Sequence, residues 1–353
     1  MSDNKVDGRG ANFDPSNRFQ ELNYSPDDSE HVHRDYETTF YRDSSQTVLA
    51  ENNSPDVPFT YSVNPYRGCE HGCIYCYARP SHEYLGFSAG LDFESKIIVK
   101  EDAPELLAEE FEDSSWKPQT ICISGNTDPY QPAESHFEIT RALLNVCRDY
   151  RNPVSMITKN HLITRDLDVL TELAELDLVH VQVSVTTLKR EIARVMEPRT
   201  SRPGKRLDAI EALAERDVSV GVNAAPIVPG LTDEELPAIL EEASDRGATQ
   251  GSYIVMRLPG PVKKLFVDWV REEFPDRADK ILSQIRSVRE GQLNESEFGD
   301  RMTGKGELGN IIDQMHRNTC NRLGLNETSV NLSTEHFRRS GNRQKDLFIN
   351  EEQ

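Results

Sequence analysis

The chain has 353 residues, enough to bury a large core as one α/β domain with extensions or as two domains, and its 60 acidic and 40 basic side chains give a formal charge of −20. That balance excludes general attraction to nucleic acid or an anionic membrane, so any nucleic-acid contact requires a local basic patch. No run reaches the roughly 18 apolar residues of a membrane-spanning helix, and the opening MSDNKVDGRGANFD lacks the apolar stretch of a signal peptide; the expected location is the cytoplasm, with no membrane partner.

In the cytoplasm thiols stay reduced, so six cysteines read as metal ligands or core residues rather than disulfides. In chain order, residues 1–57 are polar and acidic, are interrupted by Pro15, Pro26 and Pro55, and are expected to form a poorly ordered arm. A β-like run, Phe59 to Val63, then leads into NPYRGCEHGCIYCYARP. Further β-rich runs follow at 120–124, 153–158, 179–185, 218–224 and 251–258, making six in all. Helical periodicity fills the gaps at 134–150, 166–175, 204–216 and 232–246.

Alternating strands and helices predict a parallel sheet with right-handed crossovers, a partial (β/α)6 TIM-like barrel over residues 58–260. The strands are apolar enough to suggest a sheet buried on both faces. Residues 261–353 read as a helical extension, with helices at 263–273, 278–290 and 307–323, ending in a polar, basic tail. In such folds chemistry gathers at the carboxyl ends of strands, where the unusual segments of this chain also fall.

Cys69-x3-Cys73-x2-Cys76 brings three thiolates into one loop, and Gly68 and Gly72 permit the backbone to wrap. Three cysteines suit an iron–sulfur cluster with one iron left open for another donor. The same spacing also fits a structural zinc site completed by His71 or His82 in a binding protein without turnover. Cys122, Cys147 and Cys320 lie far apart and read as structural.

The run CEHGCIYCYA resembles the cluster motif of the radical S-adenosylmethionine superfamily, with the aromatic Tyr75 before the third cysteine. The resemblance implies a [4Fe–4S] cluster on Cys69, Cys73 and Cys76, S-adenosylmethionine bound at the open iron, and an electron donor of the flavodoxin or ferredoxin kind. It also implies reductive cleavage of the cofactor to a 5′-deoxyadenosyl radical. The segment ISGNTDPYQPAE fits the turn that receives the cofactor's amino group, with Asp128 as acceptor, Thr127 as a hydroxyl contact and Gly125 allowing close approach. Lys159 is expected at the cofactor carboxylate, and Ser184 as a further contact.

More narrowly, CIYCYAR, TDPYQP, TKNHLITRD and MEPRTSRPGKRLDAI resemble the spore photoproduct lyase branch, often labelled DNA-repair-photolyase-like. GRGANFDPSNRF and GDRMTGKGEL resemble a widespread subgroup of that branch. Those lyases carry a hydrogen-donating cysteine where this chain has Gly125; Tyr77 is the residue here that can relay a hydrogen atom. Arg199, Arg202, Lys205 and Arg206 form a basic cluster on the expected active-site side, either a phosphate-binding surface for a nucleic-acid substrate or a solvated loop. Arg338, Arg339, Arg343 and Lys345 form a second.

Overall fold

The computed structural model describes residues 6–19 and 37–339. Ten strands follow in chain order: β1 (Thr39–Arg42), β2 (Leu49–Glu51), β3 (Tyr61–Val63), β4 (Tyr66–Arg67), β5 (Lys96–Val99), β6 (Ile121–Ile123), β7 (Val154–Thr158), β8 (Val179–Ser184), β9 (Ser219–Ile227) and β10 (Gln250–Val255). The main sheet runs β10-β9-β8-β7-β6-β3-β2. Its six strands from β3 to β10 are parallel and stand in sequence order, as in a partial (β/α)6 barrel, while β2 adds one antiparallel edge. These six are the strands expected from sequence. A small second sheet, β1-β5-β4, flanks the cysteine loop.

One face of the main sheet carries Val63, Ile121, Ile123, Val154, Met156, Val181, Val183, Val220 and Val222. Helices Ile139–Tyr150, Leu167–Ala174, Pro203–Ala214 and Leu236–Ser244 cover it with Leu143, Leu170, Leu173, Ile210, Leu213 and Leu240, all withdrawn from water. Each fully buried leucine or valine contributes about 1.5–3 kcal/mol, so this layer dominates the stability.

The opposite face corrects the expectation of a sheet apolar on both sides. Register places Ser62, Cys122, Ser155, His180 and Ser219 in one row across β3, β6, β7, β8 and β9. A second row joins Ser184, Asn223 and Ser252. His180 Nδ1 pairs with Ser219 Oγ at 2.9 Å, and Ser252 donates to Asn223 Oδ1 at 3.2 Å. The concave interior is thus small and polar. Because strand side chains alternate, valines filling every second place gave the runs their apolar look.

The arm also differs from expectation. Residues 6–19 pack against the cysteine loop, and 39–51 supply β1 and β2; residues 1–5 and 20–36 lie outside the described residues. Helices Val262–Glu273, Ala278–Ser287 and Gly306–Leu323 form the C-terminal extension. Among the described residues the main sheet does not close on itself. Near β2, Asp56 accepts from Gly299 N at 2.6 Å and ion-pairs with Arg301, which also donates to Ser54, so residues around 299–301 bridge towards the first strands. No helix among the described residues is long and apolar enough to cross a membrane.

Candidate active site

The cysteine loop leaves β4 beside the carboxyl end of β3. Gly68 and Gly72 adopt φ of +81° and +69°, conformations that L side chains rarely take. A Cβ on Gly68 would also approach the Phe93 carbonyl to 3.0 Å. Cys69 and Cys73 are buried, Cys76 is half-buried, and all three are free thiols. Cys69 and Cys76 pack about Ala78 and Phe93. Burial pushes the Cys73 and Cys76 thiols up; Glu197 and the neighbouring thiolates act the same way on Cys73, while Lys159 opposes them. Three thiolates crowded together in a dry loop call for a cationic group to offset them.

Four elements hold the loop. Behind it, the fully buried Arg79 donates to Cys73 O through Nε and Nη2 at 3.0 and 2.9 Å and pairs with Glu94, also fully buried. Glu94 in turn accepts from Gly10 N and Ala11 N at 2.9 and 2.8 Å. Gly10 lies so close that a Cβ there would sit 1.7 Å from Gly72 O. Above it, Ile74 N and Arg199 N donate to Met196 O and His71 O. From the turn after β6, Thr127 Oγ1 and Gln131 Nε2 donate to Gly68 O at 2.8 and 3.2 Å, and Gln131 Oε1 accepts from Glu70 N.

Several expected ligands are occupied by these ties. Asp128, expected to accept from an ammonium group, already receives Thr158 Oγ1 and Lys159 N at 2.7 Å and Tyr130 N at 2.9 Å, with His71 Nδ1 at 3.4 Å. Burial opposes its charge, but His71 and these donors prevail and lower its pKa. It acts here as a tie between strand ends. Thr127 is likewise buried, with its hydroxyl bonded to Gly68 O and to Gln131, and its N–H, like that of Asn126, directed at Asn64 Oδ1.

Tyr75 is buried, and its hydroxyl donates to Glu197, which pairs with the buried Arg206. Gly125 takes φ +125° with no atom closer than 3.8 Å to the place a Cβ would occupy, and its carbonyl receives the Tyr77 hydroxyl. Tyr77 itself is half-exposed at the mouth. Ser184 ends β8, buried, with its carbonyl accepting from Arg206 at 3.2 Å. Lys159 is half-buried, and its ammonium has no hydrogen-bond or ion-pair partner among the described residues; its charge acts on Cys73, Cys76 and Glu197.

The basic cluster after β8 does not form a common surface. Arg206 turns inward to Glu197, Ser201 O and Thr200 Oγ1, Arg199 pairs with Glu70 at 3.2 Å, and Lys205 pairs with Asp208 at 2.8 Å. Arg202 is exposed and has no such partner among the described residues. In the tail, Arg339 donates to the carbonyls of Phe111, Asp113 and Trp116, closing the end of helix Ala103–Glu112, and Arg338 donates to Asp149 O. Arg343 and Lys345 lie outside the described residues.

A family model described as the radical SAM superfamily matches residues 63–243. The chain belongs to the radical SAM superfamily. An uncharacterised protein of Mycobacterium tuberculosis is 36% identical over 238 residues, covering 67% of this chain and 69% of the relative. One from Methanocaldococcus jannaschii is 29% identical over 175 residues, covering 50% of this chain and 63% of that protein. Among solved structures, a spore photoproduct lyase variant superposes with TM-score 0.58 at 16% identity, covering 86% of each chain. Another, with bound AdoMet and dinucleoside spore photoproduct, gives 0.55 at 15%, covering 81% of this chain and 80% of that one. At these identities the likeness shows the shared fold.

Within this radical SAM fold the two histidines weighed as zinc ligands have other partners. His82 Nε2 contacts Lys96 O at 3.0 Å, and burial lowers its pKa to about 4. His71 lies between Asp128 and Asn160. Sequence reasoning missed Arg79, Glu94, Asn64, Gln131 and Glu197, because single polar residues outside a spaced motif leave no periodic trace. Cys147 and Cys320 are buried core residues, as expected; Cys122 is buried too, but in the polar interior row.

Proposed function

We propose that the chain is a radical S-adenosylmethionine enzyme that holds a [4Fe–4S] cluster on Cys69, Cys73 and Cys76 and acts on a substrate entering the polar interior of the barrel. The observation that carries this reading is the triad of free thiols on a loop braced from four sides at the carboxyl rim of a parallel sheet. The donor set fits a cluster. Among the described residues no three His, Cys, Asp or Glu side chains converge to hold a single ion, whereas a tetrahedral zinc needs its donors all within about 2.3 Å of one centre. In a four-iron cluster each thiolate serves its own iron.

When bound, such a cluster supplies the electron that cleaves S-adenosylmethionine to a 5′-deoxyadenosyl radical. Lys159 is the residue suited to the cofactor carboxylate, being a cation beside the thiols that has no partner among the described residues. Backbone at Gly125 and the Ser184 end of β8 are the remaining surfaces for the cofactor, with Tyr75 bracing the loop through Glu197. An electron donor of flavodoxin or ferredoxin type is required by the same chemistry.

The test is anaerobic reconstitution with iron and sulfide, followed by reduction in the presence of S-adenosylmethionine. The expected product is 5′-deoxyadenosine. Cys73→Ala is expected to lose both the iron and the cleavage, since one iron then has no protein anchor. Zinc without iron in the purified protein, or cleavage that survives in Cys73→Ala, is the result that overturns the reading.

A further inference from the structure

We propose that the mouth of the barrel binds a single oxyanion of the substrate, a phosphate or carboxylate, on the guanidinium of Arg257. This deepens the reading above by naming the substrate class of the same site. Arg257 follows β10 at the carboxyl rim, with its guanidinium carbon 5.1 Å from the centroid of the Tyr77 ring. Tyr77 follows Cys76, and its hydroxyl donates to Gly125 O after β6. The pair therefore spans the mouth from the last strand of the sheet to the cysteine loop.

Arg257 is half-buried and makes no ion pair or side-chain hydrogen bond among the described residues. The charge acting on it most strongly is another cation, Arg301, and a third, Arg289, is close enough to be affected by Arg257 in turn. Arg301 is held by Asp56 and Ser54. Arg289 is buried and, among the described residues, donates to the carbonyls of Val255, Met256 and Asp300. Tyr77 and then Asp56 act in the opposite sense on Arg257, and Glu295 and Asp300 on Arg289, with no ion pair to either among the described residues. Burial and Arg301 together lower the Arg257 pKa.

Cations gathered in a partly dry site repel, and an unpaired guanidinium there is costly unless an anion completes it. Arg is the side chain suited to this, because its planar fork grips two oxygens of a phosphate or carboxylate while its face rests on an aromatic ring. The site takes one oxyanion rather than a polyanionic strand. Arg199, Lys205 and Arg206 of the neighbouring basic segment are paired, so among the described residues that segment offers no run of successive free cations, and the chain as a whole carries −20. A strand of nucleic acid needs several phosphate contacts in succession.

The test is titration calorimetry of the reconstituted full chain, without S-adenosylmethionine, using inorganic phosphate, acetate and a ten-nucleotide single strand as probes, with iron content read on the same samples. One small anion is expected to bind saturably at one site; Arg257→Ala weakens it at least about tenfold, the loss of a charge-assisted bond, and Arg257→Lys weakens it less. Lys263→Ala, an exposed change elsewhere, leaves it unaltered. Binding that is equal in wild type and Arg257→Ala overturns the proposal, as does a single strand that binds while neither small anion does. Saturable, Arg257-dependent binding in a protein that takes up no iron keeps this proposal and removes the cluster reading instead.

Discussion

Arg206 illustrates how much one buried side chain can carry. Its guanidinium joins Ser184 O at the end of β8, Ser201 O and the carboxylate of Glu197, which in turn receives the Tyr75 hydroxyl from the cysteine loop. Both partners of the ion pair are almost wholly buried. Removing one leaves the other charged and alone, at a cost of about 3–5 kcal/mol. Arg206→Ala is therefore expected to lower the urea-unfolding free energy by that amount and to reduce iron retention, while Lys205→Ala stays within about 0.5 kcal/mol of wild type. An Arg206→Ala protein of unchanged stability that loses salt-sensitive oligonucleotide binding would return this residue to a phosphate-contacting role. The sequence suggested that role because a basic run looks the same whether its members face water or a buried carboxylate.

At the level of elements, the segment around Gly10 acts as a strap behind the cysteine loop. Gly10→Ala drives a methyl into the Gly72 carbonyl, and neither neighbour is the flexible end of a side chain, so backbone must move. Iron bound after reconstitution is expected to fall well below one cluster per chain, with the loop more readily cut by protease; full iron loading would show that the strap is dispensable. The strands and the three thiols were legible in the sequence because both are written in short range: β-rich runs bounded by turns, and cysteines with three and two residues between them. The strap was not legible. Its polar, proline-broken composition matches disorder, and its order comes from Glu94 and Gly72, more than 60 positions away. The polar interior row was hidden for a related reason, since Ser62, Cys122, Ser155 and His180 meet only through register. Asp128 and Thr127 stand near the loop, yet which of their oxygens remain open depends on partners such as Thr158 and Gln131.

For the molecule as a whole, two of the buried histidines contribute to the response to acid. Burial lowers both His180 and His82 to about 4. A histidine that protonates near 6.5 when unfolded and near 4 when folded makes the unfolded chain bind more protons in between, so the contribution of these two is complete above about pH 6.5 and declines down to about pH 4. Each contributes up to about 3 kcal/mol over that interval. Urea midpoints between pH 4 and 7.5 are expected to follow this slope, and His180→Gln to flatten part of it; an unchanged slope in that variant contradicts the assignment. The open edge of the main sheet has a different consequence. A ring of strands closed by backbone ladders has its bore dictated by strand number and stagger. Here the last segment of the circumference rests on the side chains of Asp56, Ser54 and Arg301. The aperture can consequently be resized by exchanging a few residues at that junction, leaving every strand pairing and the cysteine loop as they are.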